Sequence, residues 1–120
     1  MGEQQTVSLV ANKAYLDKNR AALVDFFEDY IRALRWFLDP ANRKQALQIV
    51  VNVTKRPLKS IDYAFTHNDY YRDPNAVPNL PGLQHAIQVS LDNGVLKRGL
   101  DAKKYSDLSI IEEARKRIKD

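Results

Sequence analysis

The 120-residue sequence contains no cysteine. This absence excludes a disulfide framework, a zinc site built from thiolates and a cysteine nucleophile. It does not identify the compartment, because proteins of a reducing cytosol and of a bacterial periplasm both manage without cysteine. Glycine is scarce as well, with four residues, and none of them belongs to a glycine-rich phosphate-binding motif. Several classes of enzyme and cofactor site are therefore excluded.

Long apolar runs are also missing. No stretch approaches the ~18 apolar residues of a membrane span, so we expect no membrane insertion. The first residues, Met1 to Thr6, are polar and lack the basic, apolar and small-residue sections of a signal peptide. A chain expressed as given is therefore expected to stay in the cytoplasm.

The composition that remains is that of a globular protein. Hydrophobic residues make up 44% of the chain and charged residues 28%, which differs from the composition of disordered segments. A length of 120 residues suits one core, because single domains hold ~50–200 residues. We therefore interpret residues 1–120 as a single domain.

The net charge of +4 raises the question of nucleic-acid binding. The densest basic run, residues 115–119, has acidic neighbours on both sides at Glu112, Glu113 and Asp120. Cations at a helix C-terminus are also favoured by the helix dipole. A solvated helix end explains the run more simply than a phosphate-binding patch, so no nucleic-acid partner is expected.

Hydrophobic periodicity predicts a mainly α protein of five helices with a short N-terminal strand. The strand is predicted at Thr6–Ala11, and a short helical stretch capped by Asn12 follows it. Pro40 and Pro57 suit first helical positions, Asn79 suits an N-cap, and Ser109 has capping-box spacing to Glu112. The predicted helices are Arg20–Leu38, Pro40–Val53, Pro57–Phe65, Leu80–Leu91 and Ser109–Lys119, with the short stretch at Lys13–Asp17.

The longest predicted helix has an apolar stripe that must be buried. Its members recur at helical spacing, with Phe26 and Ile31 widening the stripe. They are Leu23, Phe27, Tyr30, Leu34, Phe37 and Leu38. In the second helix we expect Ala46, Leu47, Val50 and Val53 to be buried.

Catalytic and metal-binding patterns are weak. His67 and His85 each lack a second ligand at helical spacing, so no metal site is predicted. Asp25, Glu28 and Asp29 could share a helix face as paired carboxylates, but Arg32 stands four residues after Glu28 and makes a surface ion pair the simpler account. We predict that the chain is not an enzyme and holds no cofactor.

The segment from His67 to Asp73 is the one candidate site. It concentrates hydrogen-bonding groups and two tyrosines between two predicted helices, and loops often carry function. Asp69, Tyr70 and Arg72 are the candidate ligand-binding residues. The alternative is structural, with the tyrosines lying on the core and the charged residues tying down the loop, and the sequence leaves both open.

Five segments share a pattern with a known family of binding proteins. They are VANKAYLDKN (10–19), YIRALRW (30–36), DPAN (39–42), VTKRP (53–57) and NDYYRDP (68–74). Together they resemble the C-terminal portion of the solute-binding proteins of ABC importers. The group in question binds nitrate, sulfonates and taurine, and includes binders of thiamine-pyrimidine precursors and of aromatic acids. The resemblance consists of many moderate matches over about residues 6 to 119.

The resemblance implies a two-lobed, type II periplasmic binding-protein fold, of which this chain is part of lobe 1. It implies a periplasmic location, an ABC permease as partner, and a small anionic or zwitterionic solute bound only by the complete protein. It assigns no individual residue to the ligand.

Two further functions remain as alternatives. A free-standing helical module could act in protein–protein interaction or oligomerisation, and a basic nucleic-acid binder is the less favoured third possibility. Because the apolar stripes exceed what five short helices can easily hide from water, we expect the isolated chain to be a homo-oligomer.

Overall fold

The structure is a computed structural model that describes residue 5 and residues 7–66, 69 and 72–118. Within these residues the chain is mainly helical, as predicted, with five α-helices and two short 3₁₀ turns. The helices are α1 (Lys13–Lys18), α2 (Arg20–Leu38), α3 (Arg43–Thr54), α4 (Leu80–Asp92) and α5 (Ser109–Arg117), and the turns are Pro40–Asn42 and Leu58–Ser60.

Three helical segments begin at side-chain caps, two of which, Asn12 and Asn79, are predicted from the sequence. The Asn12 side chain accepts a hydrogen bond from the Ala14 backbone N–H at 2.8 Å, and Asn79 accepts one from Gly82 at 2.8 Å. Asp39 accepts from Ala41 at 2.9 Å, but the turn that it caps is 3₁₀, so α3 begins at Arg43 rather than at Pro40. Each cap satisfies a backbone donor that has no partner within the helix.

The main core lies between α2 and α5. Val24 and Ile31, two turns apart on α2, pack with Ile110 and Ala114, one turn apart on α5. All four are buried. Leu16 of α1 packs against the same cluster. Two helices that are far apart in the sequence, α2 and α5, are thus held together by one small apolar seam.

Exposed ion pairs flank this seam and set its direction. Arg20 contacts Glu113 at 2.9 Å, and Arg117 contacts Asp25 at 2.7 Å. Moving from the first pair to the second advances along α2 from Arg20 to Asp25 and along α5 from Glu113 to Arg117, so the two helices run in the same direction. Exposed pairs of this kind contribute ~0.2–1 kcal/mol each, so the apolar seam carries most of the stability.

Ala46 and Leu47 of α3 lie beside Phe37, near the end of α2. Both are buried, as is Ile61, which confirms the first two of the predicted α3 positions. Val53, also predicted to be buried, is 76% exposed. It stands in the last turn of α3, just before Lys55 takes a left-handed φ of 57° and ends the helix.

The predicted strand at Thr6–Ala11 is wrong for the described residues 7–11. They form no strand, and Val10 is 91% exposed. A strand requires a neighbouring strand to bond its alternating N–H and C=O groups, and none exists in the described part of the chain. Thr6 itself lies outside the described residues.

The predicted helix Pro57–Phe65 is also wrong, since only Leu58–Ser60 forms a 3₁₀ turn. The Ser60 hydroxyl donates to the Pro57 carbonyl at 2.8 Å, which favours a tight turn. Phe65 has a φ of 60°, outside the right-handed helical region. Its N–H donates to the Asp69 carboxylate at 2.8 Å rather than continuing a helix.

The predicted capping box at Ser109 does not form. Ser109 is the first residue of α5, and Leu108 is at the N-cap position without a side-chain cap bond. Asp107, one residue earlier, accepts from the Ser109 N–H at 2.9 Å and from its hydroxyl at 2.6 Å. The hydrogen bond from the Ser109 hydroxyl has the largest effect in holding the pKa of the Asp107 carboxyl below its usual value, and the bond from the Ser109 N–H has the next largest.

The chain is open for its size. Its radius of gyration is 16.8 Å, whereas a compact domain of this length has about 14 Å. Its accessible surface is 9304 Å², against about 6,600 Å² for a compact monomer of this mass. In the described residues no other helix comes within 8 Å of α4, measured between Cα atoms. Much apolar surface therefore stays uncovered.

Candidate functional site

Asp69 and Arg72, two of the three predicted ligand-binding residues, bind each other. An Asp69 oxygen accepts from the Arg72 guanidinium at 2.6 Å. The Asp69 side chain is 6% exposed and that of Arg72 is 20% exposed, so this pair is largely shielded from solvent. Tyr70, the third candidate, lies outside the described residues, as do His67, Asn68 and Tyr71.

The Asp69–Arg72 pair is built around Phe65. The same Asp69 oxygen accepts the Phe65 N–H, and the Arg72 guanidinium carbon lies 4.9 Å from the centre of the Phe65 ring. The opposing charge and the cation–π contact together fix this ring and its unfavourable left-handed backbone. Asp69 and Arg72 thus position an aromatic side chain.

Phe65 in turn closes one side of a small cavity. The cavity has a volume of about 250 Å³ and is formed by the end of α2, the 3₁₀ turn after it, α3 and the Phe65 segment. Phe65 and Phe37 lie 5.2 Å apart between ring centres. The lining residues, mostly apolar, are Phe37, Leu38, Asp39, Pro40, Arg43, Ala46, Leu47, Phe65 and Thr66.

Arg43 is the cation at this cavity, and its donors are directed to the backbone. Its guanidinium donates to the Ala64 carbonyl at 3.0 Å and to the Asp62 carbonyl. These bonds attach the 62–66 segment to α3 and leave the cavity wall mainly apolar. The geometry suits a small apolar group with one polar edge, within a volume below that of a typical drug-sized ligand pocket.

The sequence did not indicate Phe65 or Arg43, and neither has a local signal. Phe65 differs from an ordinary core phenylalanine only in its backbone conformation, which depends on Asp69 four residues later. Arg35 had a usable signal, because it stands one turn after the buried Ile31 on the same face of α2. The Arg35 guanidinium donates to the Asn75 side chain at 2.7 Å and so anchors the loop that contains Asn75.

Chemistry beyond binding has few candidates. Among the described residues, no group of three or more His, Asp or Glu side chains is placed to hold a metal ion. None of the described helices combines the length and the apolar character that crossing a bilayer requires. Comparisons with protein-family models, with curated proteins and with solved structures find no match to this chain.

Proposed function

We propose that this chain is a non-catalytic helical part of the solute-binding protein of an ABC importer, a protein that captures a small anionic or zwitterionic organic solute. The proposal starts from the resemblance of five sequence segments to the nitrate, sulfonate and taurine group. One structural observation supports it further. The chain exposes about 2,700 Å² more surface than a compact monomer of its mass, as expected of a unit that is covered by other parts of a larger protein.

Part of the uncovered surface is apolar. On α2, Phe26 and Tyr30 are 50% and 45% exposed and stack with ring centres 6.1 Å apart. They lie on the side of α2 that α5 does not cover. A helix with two apolar faces is typical of one packed between two layers, such as a neighbouring helix and a sheet. In the proposed protein that second layer is the remainder of lobe 1.

The cavity beside Phe65 suits a contributory role in solute binding. Closed solute sites bury most of the ligand surface between walls, whereas this cavity holds only about 250 Å³ and its one cation is bonded to carbonyls. We therefore expect the second lobe and the rest of the first to supply most contacts. Titration calorimetry of the isolated chain with taurine, alkanesulfonates, nitrate and aromatic acids should show no binding. Micromolar affinity for any of them would contradict this division.

The family is tested through the native polypeptide. The open reading frame should extend in phase beyond this coding sequence and should encode further alternating strands and helices. A gene for an ABC permease should lie nearby. Mass spectrometry of the native protein should then detect peptides from both parts in one chain. A native chain of 13.8 kDa with no transporter genes nearby would refute the proposal.

The second candidate is a self-associating helical module. The exposed Phe26–Tyr30 stack favours it, because paired aromatic rings at a helix surface are common centres of interfaces. The mass of the native polypeptide chain separates the two candidates, since the chain of this module would have a mass of 13.8 kDa whatever its oligomeric state.

A further inference from the structure

The segment between α4 and α5 carries an unusual concentration of positive charge. Residues 95–105, here called the basic loop, contain Lys97, Arg98, Lys103 and Lys104 against the single acid Asp101. All four cationic side chains are exposed. Among the described residues none of the four forms an ion pair with a carboxylate. This differs from Arg20 and Arg117, whose charges are paired on the α2–α5 seam.

The one carboxylate in the basic loop is occupied by the backbone. An Asp101 oxygen accepts from the Lys103 N–H at 2.9 Å and from the Lys104 N–H at 3.3 Å. The side chains of these lysines therefore extend from the turn that Asp101 stabilises. The charge of the loop is +3 in total, and its cations are directed outward by local structure.

Exposed apolar side chains alternate with these cations. Val95 is 76% exposed, Leu100 is 47% exposed and Tyr105 is 70% exposed. The Lys104 amine lies 5.9 Å from the centre of the Tyr105 ring. The loop therefore presents apolar and cationic side chains to solvent together.

The loop is held in shape by α4. The Gln84 side chain donates to the Leu100 carbonyl at 3.1 Å and accepts from the Ala102 N–H at 2.8 Å. The Val95 N–H donates to the Ser90 carbonyl at 2.8 Å. A surface fixed in this way loses little conformational entropy on binding.

We propose that the basic loop binds peripherally to membranes containing anionic lipids. Cations near such a membrane are attracted by its surface potential, and apolar side chains between them enter the boundary of headgroups and acyl chains. A single-stranded nucleic acid would instead require several aromatic rings on which bases could stack, and the loop has only Tyr105. This proposal is independent of the proposed function, because it uses neither the solute nor the family.

Vesicle cosedimentation of the whole chain tests the charges. We expect binding to phosphatidylcholine vesicles with added phosphatidylserine, little binding to phosphatidylcholine alone, and a decrease with salt. Lys103→Glu with Lys104→Glu should lower the affinity about tenfold or more, since each cation near the surface contributes separately. The matched control, Lys44→Glu with Lys59→Glu, makes the same change in net charge at exposed positions elsewhere and should retain binding. Equal loss in both double variants would overturn the proposal.

A second variant tests the apolar part. Val95→Ser leaves every charge and the backbone hydrogen bond in place, and should weaken binding severalfold with an unchanged circular dichroism spectrum. Unchanged affinity would show that attraction is purely electrostatic and would overturn the proposed entry of apolar side chains into the headgroup boundary. Tighter binding to a DNA oligonucleotide than to anionic vesicles at the same salt concentration would overturn the lipid assignment.

Discussion

Replacing Ile31 by alanine should remove a large part of the stability of this chain. Ile31 is fully buried in the α2–α5 seam, where its neighbours on α5 include Ala114, which is too small to fill the vacated space. A large-to-small change at such a site costs about 2–5 kcal/mol, and more where the surroundings cannot collapse. We expect about 3 kcal/mol. Domains have ~5–15 kcal/mol in total, and this core is small, so the variant should be close to unfolding.

Urea denaturation followed by far-ultraviolet circular dichroism measures this loss. Ile49→Ala is the matched control, because it makes the same chemical change on α3 at a side chain that is 38% exposed. It should cost less than about 1 kcal/mol, since little apolar surface is lost and alanine favours a helix. Equal shifts in midpoint for the two variants would show that the α2–α5 seam is not the core of the protein.

The other predictions concern two carboxylates. Asp107→Ala should cost ~0.5–2 kcal/mol in urea denaturation, and Ser109→Ala clearly less, because Asp107 is the side chain that accepts the N–H of the first residue of α5. The pKa of Asp107 is lowered by folding, so its contribution is present at neutral pH and lost as pH falls below about 4 toward the folded pKa. The difference in the free energy of unfolding between wild type and Asp107→Ala should become smaller at this low pH. A difference that does not change with pH would contradict this role of Asp107. Asp69→Asn should cost about 1–3 kcal/mol by weakening the shielded bond to Arg72. The exposed Asp62→Asn should be nearly neutral, and equal effects at 69 and 62 would refute this role.

The sequence predicted α2 well because its signals are local. Nineteen residues of helical periodicity are followed by Asp39 and Pro40, which end one helix and begin the next turn, and the structure has α2 at Arg20–Leu38 as predicted. The faces of α2 were harder to predict. The predicted stripe included the exposed Tyr30 and omitted Val24, which is fully buried. Which part of a wide apolar arc is covered depends on α5, far along the chain.

For the candidate loop, the hydrogen-bond partners of Asp69 and Arg72 were not predictable from the sequence. The contacts of Arg72 depend on Phe65 taking a left-handed conformation, for which a phenylalanine gives no sequence signal. The alternative in which charged residues tie down the loop describes Asp69 and Arg72 as they stand in the structure. Their binding to a solute stays a prediction.

The apolar second face of α2 is central to this account, and light scattering of the isolated chain tests it directly. We expect a mass above 13.8 kDa that rises with concentration, because the Phe26–Tyr30 face is covered by another copy when the parent protein is absent. Phe26→Asp should restore the mass of the monomer without changing the circular dichroism spectrum, since Phe26 is half-exposed and lies outside the α2–α5 core. A constant mass of 13.8 kDa for the wild-type chain at every concentration would contradict the account.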